Sequence, residues 1–256
     1  MILERLALGD SDFEEAFHRH VHFGAWEDPS AAGTYTDEPD SIRAMDRLCQ
    51  HLLQLAEVQD GQELLDVGCG FGGTLATIAE QFKLRRLTGL NIDGRQLEIA
   101  RQRVRGVEFV EGDACAMPFP DRSFDRVLAV ECIFHFPSRA DFFGHAARVL
   151  RPGGNLTLSD FLQPAEAPPG LFDTCDDPLW GSHCAIDVEA YRKLGAEVGL
   201  ELTHAADISR HVRPTYHWFG QLLGRHFPAV IELTNTSAFI MDAGGLGYCT
   251  LRFDRR

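Results

Sequence analysis

Short apolar runs alternate with stretches of helical spacing through the middle of the chain. Leu64, Leu65 and Val67 begin the series, and the runs predict strands over 63–67, 86–91, 107–111, 124–130 and 154–160. Between them the spacing predicts helices over 73–82, 94–104 and 138–150, the last capped by Ser138 and closed by Pro152-Gly153-Gly154. Strand and helix in strict alternation describe an α/β protein with a doubly wound, mostly parallel sheet. Ahead of this region, Phe13, Phe17 and Val21 predict a helix over 12–22. Ile42, Met45, Leu48, Leu52, Leu55 and Val58 predict an amphipathic helix over 41–58 with Ser41 as its N-cap. Beyond it come a helix over 187–198 capped by Asp187, a sixth strand over 200–209 and a last strand over 246–254. Residues 163–185 carry too much proline for helix or central strand. Residues 210–243 read as helical, broken at Pro214 and Pro228. The expected organisation is an N-terminal helical cap over 1–60 and a core over 61–256, with lid insertions near 163–185 and 210–243.

Composition narrows the functional classes. The 256 residues are 45% hydrophobic and 24% charged, ordinary values for a chain that buries a core, and the net charge is -14. A chain this acidic, with no basic stripe, does not bind nucleic acid by neutralising phosphates, and it has no polybasic anchor for a membrane. The N-terminus reads as neither a signal peptide nor a membrane span, so a cytoplasmic location is expected. Seven cysteines lie scattered with no CxxC pair, as free thiols do in a reducing compartment. His18, His20 and His22 alternate. On a helix such positions diverge, so they are expected to face solvent rather than share a metal. His183 and Cys184 are adjacent without a further ligand at zinc spacing. No metal is expected.

The chemistry gathers where strands end. Glu63 to Gly73 is a strand running into a glycine-rich turn and then a helix. Gly68, Gly70 and Gly72 let backbone approach a ligand, and Asp66 stands at the mouth. An acid there suits a positive charge or hydroxyl donors and repels phosphate. Gly68-x-Gly70-x-x-Gly73, with Asp93 downstream, also satisfies the dinucleotide fingerprint. Leu90-Asn91-Ile92-Asp93 follows the second strand, Gly112-Asp113-Ala114 the third, and Glu131 to Pro137 the fourth, with His135 inside it; Asp160 ends the fifth.

The block Leu-Leu-Asp-Val-Gly-Cys-Gly-x-Gly at 64–72, with 111–121 and 151–160, resembles class I S-adenosylmethionine-dependent methyltransferases of the type-11 small-molecule group. The resemblance implies a seven-stranded sheet with an antiparallel last strand, and S-adenosyl-L-methionine as cofactor. Asp66, Gly68 and Gly70 would hold its methionine end. Asn91 stands where an acid usually takes the ribose hydroxyls and would share that contact with the Ile92 backbone. Asp113 would take the adenine amino group, the Ala114 N–H a ring nitrogen, and Glu131 lies at the cofactor edge. His135 would be the general base, oriented by Asp160 or Glu131. His22-Phe23-Gly24-x-Trp26 resembles a segment that folds over the active site, which would bring Trp26 and Tyr35 to cofactor or acceptor. The acceptor implied is a hydroxyl, amine or activated carbon of a natural-product-like metabolite. A second reading keeps the pocket for another reaction such as cyclisation, and a third is an NAD-dependent oxidoreductase. Acceptor and oligomeric state stay open.

Overall fold

A computed structural model describes residues 19–28, 38–164, 185–218 and 245–256. Seven strands form one sheet in the order β3-β2-β1-β4-β5-β7-β6. They are β1 (Glu63–Val67), β2 (Arg86–Asn91), β3 (Glu108–Glu111), β4 (Phe124–Val130), β5 (Leu150–Leu162), β6 (Leu200–Asp207) and β7 (Gly247–Arg255). The first five run parallel. The order reverses at β1, which pairs with β2 through Leu65↔Thr88 and with β4 through Leu65↔Val127. β7 is antiparallel to both neighbours, wedged between β5 (Leu158↔Leu251) and β6 (Ala205↔Leu251). Both faces of the inner strands are covered, which is why they read as continuous apolar runs.

The helices are α1 (Glu38–Leu55), α2 (Gly73–Gln81), α3 (Gly94–Arg103), α4 (Arg139–Val149), α5 (Val188–Glu197) and a single turn, α6 (Ser209–Val212). Ser138 accepts from the Asp141 N–H at 3.1 Å and Asp187 from the Ala190 N–H at 2.7 Å, so both expected caps form. Ser41 is not a cap. α1 begins at Glu38, and Ser41 is buried inside it. Pro39 explains the earlier start, because a first-turn residue has no helical partner to lose with its missing N–H.

Alternation along the strands sorts the core. Leu156, Leu158 and Leu162 face α4 and α5 with Phe142, Phe143 and Tyr191. Phe161 and Tyr248 face the other way, onto Phe23, Trp26, Met45 and Leu48. α1 and α2 complete that side over Leu64 and Leu128.

The expected helix over 12–22 falls largely outside the described residues, and residues 19–22 are not helical. Instead, residues 19–28 form an extended strap. Ala25 N–H bonds the Ala44 carbonyl, and Trp26 N–H bonds the His211 carbonyl, both at 2.8 Å. The lid expected over 163–185 lies outside the described residues except at its ends. So does 219–243, with Tyr35 and His183. No described helix is long and apolar enough to cross a membrane.

Candidate active site

The carboxyl ends of β1, β2, β3 and β4 meet at the switch in strand order, where open α/β sheets bind ligands. β1 stops at Val67, and Gly68 turns with φ +72°. A Cβ there would lie 2.7 Å from Cys132 Cβ, so only glycine lets the loop pack against the turn after β4. Gly73 opens α2 beneath the strap. A Cβ on it would stand 1.9 Å from the Arg19 carbonyl oxygen.

Asp66 is buried beside this loop, and burial alone pushes its carboxyl up to about 8. An acid held there without a cation is poised for a positively charged ligand. The cradle fits an amino-acid cofactor end carrying ammonium and sulfonium charge.

Asn91 ends β2. Its Oδ1 accepts from the Gly70 N–H at 3.4 Å, and its Nδ2 donates to Gln96 Oε1 at 3.0 Å. The side chain thus braces the glycine loop. Gln96 is buried in the first turn of α3 and was not singled out from the sequence, although a polar residue next to that helix's apolar face was the available signal. Ile92 next to it is 73% exposed, a large apolar side chain open to a ligand face. Asp93 caps α3, accepting from the Arg95 N–H at 2.9 Å and pairing with its guanidinium. Asp113 caps the turn Ala114–Ala116 through the Cys115 N–H at 2.8 Å, and Ala114 is buried behind it.

On the acceptor side, Glu131 leaves β4 with φ +50°. Its Oε2 accepts from the Tyr248 hydroxyl at 2.6 Å and from the Phe23 N–H at 2.8 Å. Burial raises its carboxyl to about 8 against these two bonds. Ser159 Oγ lies 3.0 Å from the same Tyr248 hydroxyl. His135 ends the turn Ile133–His135, its ring 4.1 Å from that of Phe134, and burial lowers its pKa below the ordinary 6.5.

The structure does not join the three expected catalytic residues. Glu131 is held by the strap and β7, not by His135. Asp160 is fully buried on the opposite face of β5, bonded to the Tyr191 hydroxyl and, at 3.4 Å, to Arg139 Nη2. Strand alternation is the reason: Ser159 and Phe161 point to the strap, and Asp160 points away. Phe23, Tyr248 and Ser159, which surround Glu131, were not expected there.

The strap histidines are also corrected. His20 and His22 are buried, with rings 4.8 Å apart. Extended chain puts i and i+2 on one side, where a helix would part them. His20 Nε2 lies 3.0 Å from Asp46 Oδ1, and burial drives His22 down to about 3. Among the described residues no three His, Cys, Asp or Glu side chains are placed to hold a metal.

Residues 65–158 match the family described as Methyltransferase domain. Methyltransferase GfsG of Streptomyces halstedii is 33% identical over 212 residues, covering 78% of this chain and 72% of that protein. This chain belongs to the class I S-adenosylmethionine-dependent methyltransferases. The 27-O-demethylrifamycin SV methyltransferase of Amycolatopsis mediterranei (strain S699) is 34% identical to it over 212 residues, covering 79% of this chain and 74% of the other. In fold, the methyltransferase is similar to the [4+2]-cyclase SpnF, with a TM-score of 0.78 at 24% identity over 99% of this chain and 93% of that one. The cofactor of the methyltransferase is S-adenosyl-L-methionine, and its chemistry is methyl transfer to a small-molecule acceptor. The dinucleotide reading falls with this, and Asp93 is a helix cap.

Proposed function

We propose that this methyltransferase O-methylates a hydroxyl of a natural-product-like metabolite, with His135 as general base. The observation that carries the base assignment is the His135 side chain itself. It is partly exposed at the carboxyl edge, no hydrogen bond to its ring is described, and the burial of the rest of the ring lowers its pKa, which favours the neutral form. The name of one relative supports the substrate class, since that protein acts on 27-O-demethylrifamycin SV.

When bound, S-adenosyl-L-methionine supplies an electrophilic methyl on sulfur. Asp66 faces the cationic end, and its carboxyl ionises as that charge arrives. Gly68 and Gly70 allow the backbone to close on the methionine part, Asp113 and the Ala114 N–H serve the adenine, and Asn91 with Ile92 serves the ribose. An imidazole nitrogen of His135 accepts the hydroxyl proton as the oxygen attacks. Glu131 holds the strap over the site through Phe23, which excludes water and fixes the acceptor near its attack geometry. Such positioning is worth roughly 7–11 kcal/mol at best.

The test is incubation with S-adenosyl-L-methionine and a panel of hydroxylated macrolides, aromatics and terpenoids, read by mass and NMR. One product bearing a new O-methyl group is expected. An acceptor skeleton rearranged without gaining a methyl would favour a cyclase-type reaction instead. His135→Ala should lower turnover about a hundredfold or more with S-adenosylhomocysteine affinity unchanged. Undiminished turnover would remove the base role.

A further inference from the structure

The Arg139 cluster lies apart from the cofactor cradle. A groove with a cavity of about 350 Å³ runs between the turn after β4 and α5. Its walls are apolar, from Phe136, Ile186 and Leu194, and its charges are Arg139, Lys193 and Glu197. Phe136 joins it to the cofactor loop, with Cζ 3.8 Å from where a Cβ on Gly68 would stand.

Arg139 is 11% exposed. Its Nε donates to the Tyr191 hydroxyl and its Nη2 to Asp160 Oδ2, each at 3.4 Å. Tyr191 in turn bonds Asp160. These buried partners fix the guanidinium plane and leave Nη1 without a described protein partner. A fixed, largely desolvated guanidinium with free N–H donors is a preformed seat for a carboxylate. Lys193 adds an exposed ammonium on the same groove with no described ion pair.

We propose that this groove is an acceptor subsite for a single carboxylate carried on an apolar body. The reading as an acceptor subsite rests on the methyl-transfer function above. Charge decides between anions. Asp160 and Glu197 balance Arg139 and Lys193, so the unpaired Nη1 of Arg139, and not a surplus of positive charge, seats the anion, and only a singly charged one. A phosphate dianion or a diphosphate would be left under-compensated within a chain of net charge -14. The acid is an anchor and not the methylated group. Its seat is Arg139 on α4, and Phe136 is the groove residue that approaches the glycine loop.

The experiment is titration calorimetry of the whole chain with decanoate and, as its neutral match, decanol, followed by S-adenosylhomocysteine on the same preparations. The variants are Arg139→Gln and the exposed Lys193→Glu, with melting temperatures recorded. Decanoate is expected to bind about tenfold or more weakly to Arg139→Gln and about threefold or more weakly to Lys193→Glu. Decanol should change less than about twofold in either. If Arg139→Gln does not fold, because Asp160 loses its cation, Lys193→Glu still decides. Absence of decanoate binding, equal decanoate affinity in all folded proteins, or an equal loss for decanol would each overturn the proposal. S-adenosylhomocysteine binding is the separate check. Its failure sinks the cofactor assignment, while decanoate failing beside intact S-adenosylhomocysteine binding sinks only the groove.

Discussion

At the scale of single residues, the buried acids set the behaviour. Asp66 titrates near 3.8 when unfolded and about 8 when folded. A carboxyl raised in this way favours the folded state most below pH 4. That advantage is lost as pH rises toward 8, since the unfolded chain ionises freely and the folded one cannot. Asp66→Asn should therefore raise the melting temperature of the cofactor-free protein at pH 8 by about 2 °C or more and flatten its decline between pH 4 and 8, while weakening S-adenosylhomocysteine binding. A variant that melts no higher would show that Asp66 is already ionised and compensated. The same shift makes cofactor binding release protons at pH 7. Calorimetry in two buffers of different ionisation enthalpy should count about one proton per site. His135 shifts the other way: activity should fall as pH drops below a value under 6.5, and His135→Ala should erase that acid limb from what activity remains.

At the scale of elements, local chemistry was legible and side-chain direction was not. β1, β2 and β4 fall at the residues expected, because buried parallel strands bounded by glycine and polar turns leave little choice. Ser138 and Asp187 were legible for a like reason: a cap needs only its own helix, and Asp187→Ala should cost about 1 kcal/mol in denaturant unfolding. Asp66, Asn91 and Asp113 could be singled out from the sequence because each lies within two residues of the carboxyl end of β1, β2 or β3. Asp160 was expected to end its strand, but β5 runs on to Leu162, and alternation along it turns Asp160 from the acceptor site to Arg139 and Tyr191. The strap was the least legible element. Residues 19–28 have no period of their own and take their shape from Gly73, Glu131, Ala44 and His211. Gly73→Ala should lift it. The emission of the three tryptophans should shift to the red through Trp26, and the Phe23 amide should exchange faster. An unshifted spectrum would mean the strap is held elsewhere.

At the scale of the molecule, binding should read out as stability. S-adenosylhomocysteine at a hundred times its dissociation constant should add about 2.7 kcal/mol, which for a chain of this length raises the melting temperature by about 5 °C or more. NAD should add nothing. Among the strap's ties, the Glu131 carboxylate is the one that reaches the end of β4 beside the candidate site. Tyr248→Phe leaves Glu131 with the Phe23 N–H alone and should cost about 1–2 kcal/mol in the cofactor-free protein.

The placement of β7 bears on how the protein is made. Among the described strands β6 pairs with β7 alone, which leaves the ribosome well after it, and β5 gains its second neighbour at the same late moment. Until then β5, buried along most of its length, and the half-exposed β6 present open edges, the features that invite pairing with other chains. Synthesis of this protein should pass through a stage in which the first five strands are assembled and the sheet is still unsealed. A ribosome stalled before residue 247 should display a nascent chain that chaperones retain, and release past that point should close the sheet in one step. Expression yield would then respond more to substitutions in 247–255 than to those in the cofactor loop.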